Sequence, residues 1–320
     1  MTTHPTPIPL PLPRRIAIAL ADIKLAHSVF ALPFALLSAF LVAPRIDTGV
    51  ILWGTFALQL ALVVLCMVLA RTWAMLVNRL ADRSIDAANP RTARRAFASG
   101  TLDPRFGMLL AAGCALAFTA GAALFWPLFD NPWPGILALP VLAWIALYSF
   151  TKRFTALCHL FLGGALAASP IAAAIAVNPQ TILTLSPTPE AQAILAIAGF
   201  VLLWVAGFDI PYALQDLEFD RETGLHSVPA KLGVQGALWT SRLLHGAALL
   251  MLVLALLATP RLATLTAIAT ALVALLLILE HAILARRGVA GLPLAFFTCN
   301  GVAAVLLGLA GILDAAHLST

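Results

Sequence analysis

Ala191-Gln-Ala-Ile-Leu-Ala-Ile-Ala-Gly-Phe-Val-Leu-Leu-Trp-Val-Ala-Gly-Phe208 is an uncharged run of eighteen residues that leads straight into Asp209-Ile-Pro-Tyr-Ala-Leu-Gln-Asp216-Leu-Glu-Phe-Asp220. About 20 apolar residues in a helix cross the hydrocarbon core of a bilayer. In lipid the backbone must satisfy its own hydrogen bonds, which a helix does. At about 100° per residue, Asp209, Asp216 and Asp220 return to one face of a continuous helix. The run therefore predicts a membrane span with an acidic cluster at its boundary.

The pattern occurs twice. Residues 49–77 form another apolar stretch, followed by Asn78-Arg-Leu-Ala-Asp82-Arg-Ser-Ile-Asp86-Ala-Ala-Asn89. Carboxylates spaced i, i+4 share a helix face and can share a hard divalent cation, which takes oxygen ligands and bridges to phosphate oxygens. Two such clusters at membrane boundaries point to a diphosphate held between two metals. The plainer reading is a solvated surface on which the acids pair with Arg79, Arg83 and Arg221; two clusters of matching form argue against it.

Composition agrees with a membrane chain: 62% of the 320 residues are hydrophobic, 10% are charged and the mean hydropathy is +0.98, far from the balance of a soluble domain. The expected fold is all-α, a polytopic membrane bundle of about nine transmembrane helices around a central cavity. Its spans are 23–43, 49–77, 106–127, 133–150, 156–177, 191–208, 236–258, 262–285 and 292–313. Residues 1–15, proline-rich and without an apolar signal core, read as a disordered cytoplasmic tail. Residues 16–313 read as one domain, and 314–320 as a short C-terminal tail.

Of nineteen basic residues only Arg45 and Arg261 fall on one side of this scheme. Lys and Arg accumulate in cytoplasmic loops. The N-terminus and both acidic clusters are therefore expected at the cytoplasmic face of the inner membrane, with the C-terminus outside. The formal charge of +5 reflects topology and anionic ligands; no basic stripe interleaves with exposed aromatics, so nucleic acid is not an expected partner. Cys66, Cys114, Cys158 and Cys299 stand singly, without metal or disulfide spacing. His159, His245 and His281 lack an H-E-x-x-H pattern and read as structural. Glu280 reads as an interfacial residue paired with His281 or Arg286.

Tyr148-Ser-Phe-Thr-Lys152-Arg153 closes the fourth span on the cytoplasmic side, where it serves as a positive anchor, as an anion site, or as both. With the two acidic clusters, this run resembles the UbiA-type intramembrane aromatic prenyltransferases. Their first motif, N-x-x-x-D-x-x-x-D, is matched by Asn78, Asp82 and Asp86. The second, D-x-x-Y-A-x-x-D-x-x-x-D, is matched by Asp209, Tyr212, Ala213, Asp216 and Asp220. Gly224-Leu-His-Ser227-Val-Pro229 is similar to the pattern that follows it. Where many relatives read Asn-Arg-Pro-Leu, this chain has Arg94-Arg95-Ala96-Phe97. The run from Ile23 to Phe34, with His27 within it, is similar to the 4-hydroxybenzoate polyprenyltransferase-like subgroup, some members of which are thought to act in the futalosine route to menaquinone.

The resemblance implies Mg²⁺-dependent transfer of a polyprenyl group from polyprenyl diphosphate to a ring carbon of an aromatic acid acceptor, within the lipid bilayer, for ubiquinone or menaquinone. It implies metal ligation by Asn78, Asp82, Asp86, Asp216 and Asp220. Substrate binding falls to Asn78, Arg83, Tyr148, Lys152, Arg153 and Tyr212. Asp82, Asp86, Asp209, Asp216 and Asp220 are the catalytic set, with Asp209 orienting the acceptor or taking its proton. Dihydroxynaphthoate is an alternative acceptor. A cation-coupled transporter is the rival class, against which the acids stand at one boundary instead of the midplane.

Overall fold

Proline opens helix after helix in this chain, because the first turn has no use for the missing N–H. The computed structural model describes residues 10–23, 30–47 and 49–317. Its helices are α1 (Leu12–Asp22), α2 (Leu32–Leu41), α3 (Trp53–Ala81), α4 (Arg83–Ala88), α5 (Pro104–Ala123) and α6 (Phe125–Phe129), then α7 (Trp133–Thr151), α8 (Cys158–Val177), α9 (Pro179–Ile182), α10 (Pro189–Tyr212), α11 (Leu217–Glu222), α12 (Val228–Ala258), α13 (Thr264–Arg287) and α14 (Asn300–His317). Among the described residues there is no strand, only an isolated bridge between Arg45 and Ile51.

Among the described residues, eight of the expected nine spans appear as helices long and apolar enough to cross a membrane. The first expected span, 23–43, is represented by the ten-residue α2, which starts at Pro33 in its first turn. At 1.5 Å per residue it covers about half of the hydrocarbon thickness. Residues 24–29, with His27, lie outside the described residues. A second difference concerns the tail. Leu12–Arg15, assigned to it for their prolines, form the first turn of α1, with Pro11 as its cap and Pro13 where a helix tolerates proline. At the other end, Asp314–His317 belong to α14.

Outward-facing leucines such as Leu109, Leu116, Leu243 and Leu257 are each more than two-thirds exposed, as suits a surface solvated by acyl chains. Between helices that hydrophobic drive is absent, and close packing of small residues takes over. The most enclosed span, α10, lies between α8 and α12. A Cβ placed on Gly163 of α8 would stand 2.2 Å from the Leu202 carbonyl oxygen of α10, and one on Gly207 of α10 would stand 2.3 Å from the ring of His245 of α12. The first contact is with backbone and cannot be relieved by a rotamer change. Gly163→Ala is therefore expected to destabilise the bundle by about 1–3 kcal/mol, visible as a lowered thermal midpoint in detergent; an unchanged midpoint contradicts this packing.

The second half of the bundle is pinned by buried polar contacts. Trp204 Nε1 donates to Asn300 Oδ1 at 2.6 Å, and Asn300 Nδ2 donates to Glu280 Oε2 at 2.9 Å. Glu280 is thus a core residue, 1% exposed, and not the interfacial partner of His281 or Arg286 that its sequence position suggested. A polar partner on α14 lets it stay inside. Asp314 Oδ2 accepts from the Ala263 and Thr266 amides at 2.9 and 2.7 Å, so the last helix caps the start of α13.

Candidate active site

Asp82 stands at a break: α3 ends at Ala81, α4 begins at Arg83, and the Asp82 side chain occupies the corner. Asn78, one turn back, donates from Nδ2 to Asp82 Oδ2 at 3.1 Å. Asp86 follows on α4 and Asn89 closes it. The second cluster is also interrupted. A 3₁₀ turn, Ala213–Asp216, separates α10 from α11, so the continuous face expected for Asp209, Asp216 and Asp220 does not form. Asp216 turns towards the first cluster and Asp220 towards Lys152 and Ser227, while Asp209 faces α8.

One hollow of about 100 Å³ lies between the clusters, lined among others by Asp82, Asp86, Asn89 and Asp216. Each carboxylate meets a cation from another segment. Arg91 chelates Asp216, its Nε donating to Oδ1 at 2.8 Å and its Nη2 to Oδ2, while Asn89 Nδ2 adds a third donor at 2.8 Å. Arg95 Nη1 donates to both oxygens of Asp86 at 2.7 and 2.8 Å. Arg153 Nη2 donates to Asp82 Oδ1 at 2.9 Å. Behind the hollow, the Asp220 carboxylate is wholly buried between Lys152 Nζ at 2.7 Å and Ser227 Oγ at 2.9 Å. The cations come from the 89–103 loop and the end of α7, not from neighbouring Arg79, Arg83 and Arg221.

Burial pushes the Asp82 carboxyl above the ordinary range of aspartate, against the pull of Arg153. Burial also works against the charge of Arg91, but its hydrogen bond to Asp216 prevails and raises it. A pocket lined by three carboxylates and four cations, with Asp220 behind it, is a place where both an anion and a divalent cation can exchange partners.

The donor set fits a hard divalent cation. The ligands lining it are oxygens of Asp82, Asp86, Asp216 and Asn89, with Asn78 bonded to Asp82 behind them, and among the described residues no thiol or imidazole lines the hollow. Among the described residues no three carboxylate, imidazole or thiol side chains are gathered tightly enough for one ion, because each acid is turned to its arginine or lysine.

Below the hollow lies a second cavity of about 360 Å³ between α3, α5, α7 and α8, walled mainly by aliphatic and aromatic side chains. Tyr148 lines it, with its hydroxyl 3.7 Å from Met75 Sδ. So does Arg71, the one charged residue in that wall among the described residues. Its Nε is shut from solvent without a hydrogen-bond partner, an expensive state for a guanidinium. The sequence signal was available, an arginine within an apolar span, but it was absorbed into the count of cytoplasmic basic residues.

Three expected site residues lie elsewhere. Arg83 is exposed and lines neither cavity. Tyr212 packs on Phe296, ring centroids 4.4 Å apart, with the Arg91 guanidinium 5.8 Å from its ring. Asp209 Oδ2 sits 2.7 Å from His159 Nδ1, and His159 Nε2 accepts from the Val228 amide at 3.3 Å. The amide fixes the Nδ1–H tautomer, so His159 donates to Asp209. His159 is structural in the sense expected of it, and it also orients one of the motif carboxylates.

Helical spans, a charged hollow and an apolar cavity beside it define an integral multi-pass membrane protein. The chain belongs to the UbiA prenyltransferase family, whose model matches residues 31–302. It is 33% identical over 174 residues to the 4-hydroxybenzoate octaprenyltransferase of Nitrosomonas eutropha, covering 54% of this chain and 56% of that one. The chain thus spans little more than half the length of this curated relative. The fold is similar to the apo structure of a UbiA homolog from Aeropyrum pernix K1, with a TM-score of 0.76 and 32% identity over 91% of this chain and 98% of that one. It also shares the fold of a UbiA homolog from Archaeoglobus fulgidus bound to GPP and Mg²⁺, with a TM-score of 0.66 and 20% identity over 93% of this chain and 99% of that one.

Proposed function

We propose that the protein transfers a polyprenyl group from polyprenyl diphosphate to a ring carbon of 4-hydroxybenzoate or a similar aromatic acid, at the cytoplasmic face of the inner membrane. The observation that carries this reading is the stacking of two unlike spaces: an acid- and arginine-lined hollow above an apolar cavity whose wall holds Arg71, its Nε buried and unbonded. A polyprenyl diphosphate has the matching halves, and the family and the named relatives support the same chemistry.

Arg91, Arg95, Lys152 and Arg153 bind the diphosphate oxygens in this scheme, exchanging their carboxylates for phosphate. Asp82, Asp86 and Asp216 at the hollow, backed by Asn78, Asn89 and Asp220, would hold Mg²⁺, the ion named with the Archaeoglobus homolog. When bound, that cation offsets the charge gathering on the leaving group. The prenyl C–O bond breaks and its electron pair leaves with pyrophosphate. The aliphatic cavity wall keeps water from the allylic cation. Arg71 pairs with the acceptor carboxylate and Tyr148 packs beside it. The ring carbon ortho to the hydroxyl forms the new C–C bond and gives up its proton to the departing pyrophosphate, since Asp209, held by His159, lines neither cavity.

Purified protein given radiolabelled polyprenyl diphosphate, Mg²⁺ and 4-hydroxybenzoate is expected to form a lipid-soluble labelled product retaining the aromatic ring. Absence of product with both 4-hydroxybenzoate and dihydroxynaphthoate would refute the reading. The family and the position of the acids at one boundary favour this enzyme over the cation-coupled transporter.

A further inference from the structure

Asp22 belongs to neither acidic motif, yet three parts of the site meet at its carboxylate. Its Oδ1 accepts from the Ala96 amide at 3.2 Å, in the loop that supplies Arg91 and Arg95. Its Oδ2 stands 3.7 Å from Arg79 Nε, with the two side chains 11% and 8% exposed. Arg79 Nη1 donates to Asn78 Oδ1 at 2.8 Å, and Asn78 in turn donates to Asp82. One carboxylate on α1 thus reaches Asp82 through the end of α3, and reaches the partner of Asp86 through the loop.

A buried guanidinium needs an anion, and removing its partner leaves a costly unpaired charge that moves to the next anion available. For Arg79 the anions within electrostatic reach are Asp22, Asp86 and Asp82. If Asp22 is neutral, Arg79 is drawn to the two carboxylates that face the hollow and competes there with any other cation.

We propose that Asp22 is a positioning residue for the first acidic cluster. It holds the Arg79 charge towards α1, leaving oxygens of Asp82 and Asp86 available to a divalent cation, and it fixes the loop that presents Arg95. This rests on the reading of the hollow as a cation–diphosphate site. The fold does not hang on the same contact: α1 is also held by the Arg15 guanidinium 4.0 Å over the Phe106 ring and by Ala19 and Ile23 packed into a cluster with Leu76, Phe97 and Leu102.

The test uses the full-length protein in detergent with Mn²⁺ and inorganic pyrophosphate as probes, free Mn²⁺ being followed by electron paramagnetic resonance. Asp22→Asn keeps an oxygen for the Ala96 amide and removes the charge. Its Mn²⁺ affinity in the presence of pyrophosphate is expected to fall about ten- to a hundredfold, with the affinity for 4-hydroxybenzoate unchanged. Adding Arg79→Gln removes the displaced cation and is expected to restore most of the Mn²⁺ affinity. Wild-type Mn²⁺ affinity in Asp22→Asn, or a double variant as weak as the single one, overturns the role of Asp22 alone. If the wild-type protein takes up no Mn²⁺ with pyrophosphate, the reading of the hollow falls and this role with it.

Discussion

Asp216→Asn is expected to lower kcat for prenyl transfer by about a hundredfold to a thousandfold, the scale on which a single preorganised electrostatic contact acts in catalysis. Asp216 is the best-connected acid of the hollow: Arg91 grips both of its oxygens and Asn89 a third lone pair. Asparagine preserves the size of the side chain and one acceptor oxygen, so Asn89 keeps its bond and the 3₁₀ turn keeps its shape. What disappears is the full negative charge that Arg91 meets and that would ligate a divalent cation in the proposed scheme. The Mg²⁺ concentration for half-maximal rate should rise in parallel, and the thermal midpoint should stay near that of the wild type. Single-turnover measurement with saturating donor separates the outcomes. A lost burst with intact donor binding supports the assignment, whereas wild-type kcat in Asp216→Asn removes Asp216 from the machinery.

The helical spans and the two acidic clusters were legible because both obey one periodicity: long apolar runs need no partner to declare themselves, and carboxylates at i, i+4 share a face whatever surrounds them. The same rule failed where the helix itself failed. Asp209, Asp216 and Asp220 were read as one face of a continuous helix, but the 3₁₀ turn at Ala213–Asp216 changes the pitch and sends Asp209 to His159 instead. Partners distant in sequence were not legible at all. Nothing local relates Arg91 to Asp216, 125 positions away, or Glu280 to Asn300 on the next helix. Asp22 belongs to no motif; its importance lies in what α1 packs against. Arg71 illustrates a different difficulty, since a statistical rule about loop charge explained it before its burial could be weighed.

Arg71→Met should raise KM for 4-hydroxybenzoate about ten- to a hundredfold, the range expected when a charged hydrogen bond to a bound carboxylate is lost. The reasoning begins with cost. An arginine whose Nε has neither solvent nor partner, in a wall otherwise made of side chains such as Val63, Phe118, Leu137 and Ile145, is maintained against a steep desolvation penalty. A carboxylate on the substrate removes that penalty and gains a bidentate partner, which lysine cannot imitate. Methionine fills similar volume without charge, so the cavity remains packed and KM for the polyprenyl diphosphate, gripped a level above by Arg91, Arg95, Lys152 and Arg153, should not change. A phenol lacking the carboxylate provides the control: wild-type protein should use it poorly, while Arg71→Met should lose its preference for the acid because the discriminating group is gone. If the variant still favours 4-hydroxybenzoate over the plain phenol by the wild-type ratio, the carboxylate is read elsewhere and Arg71 serves the fold of the cavity.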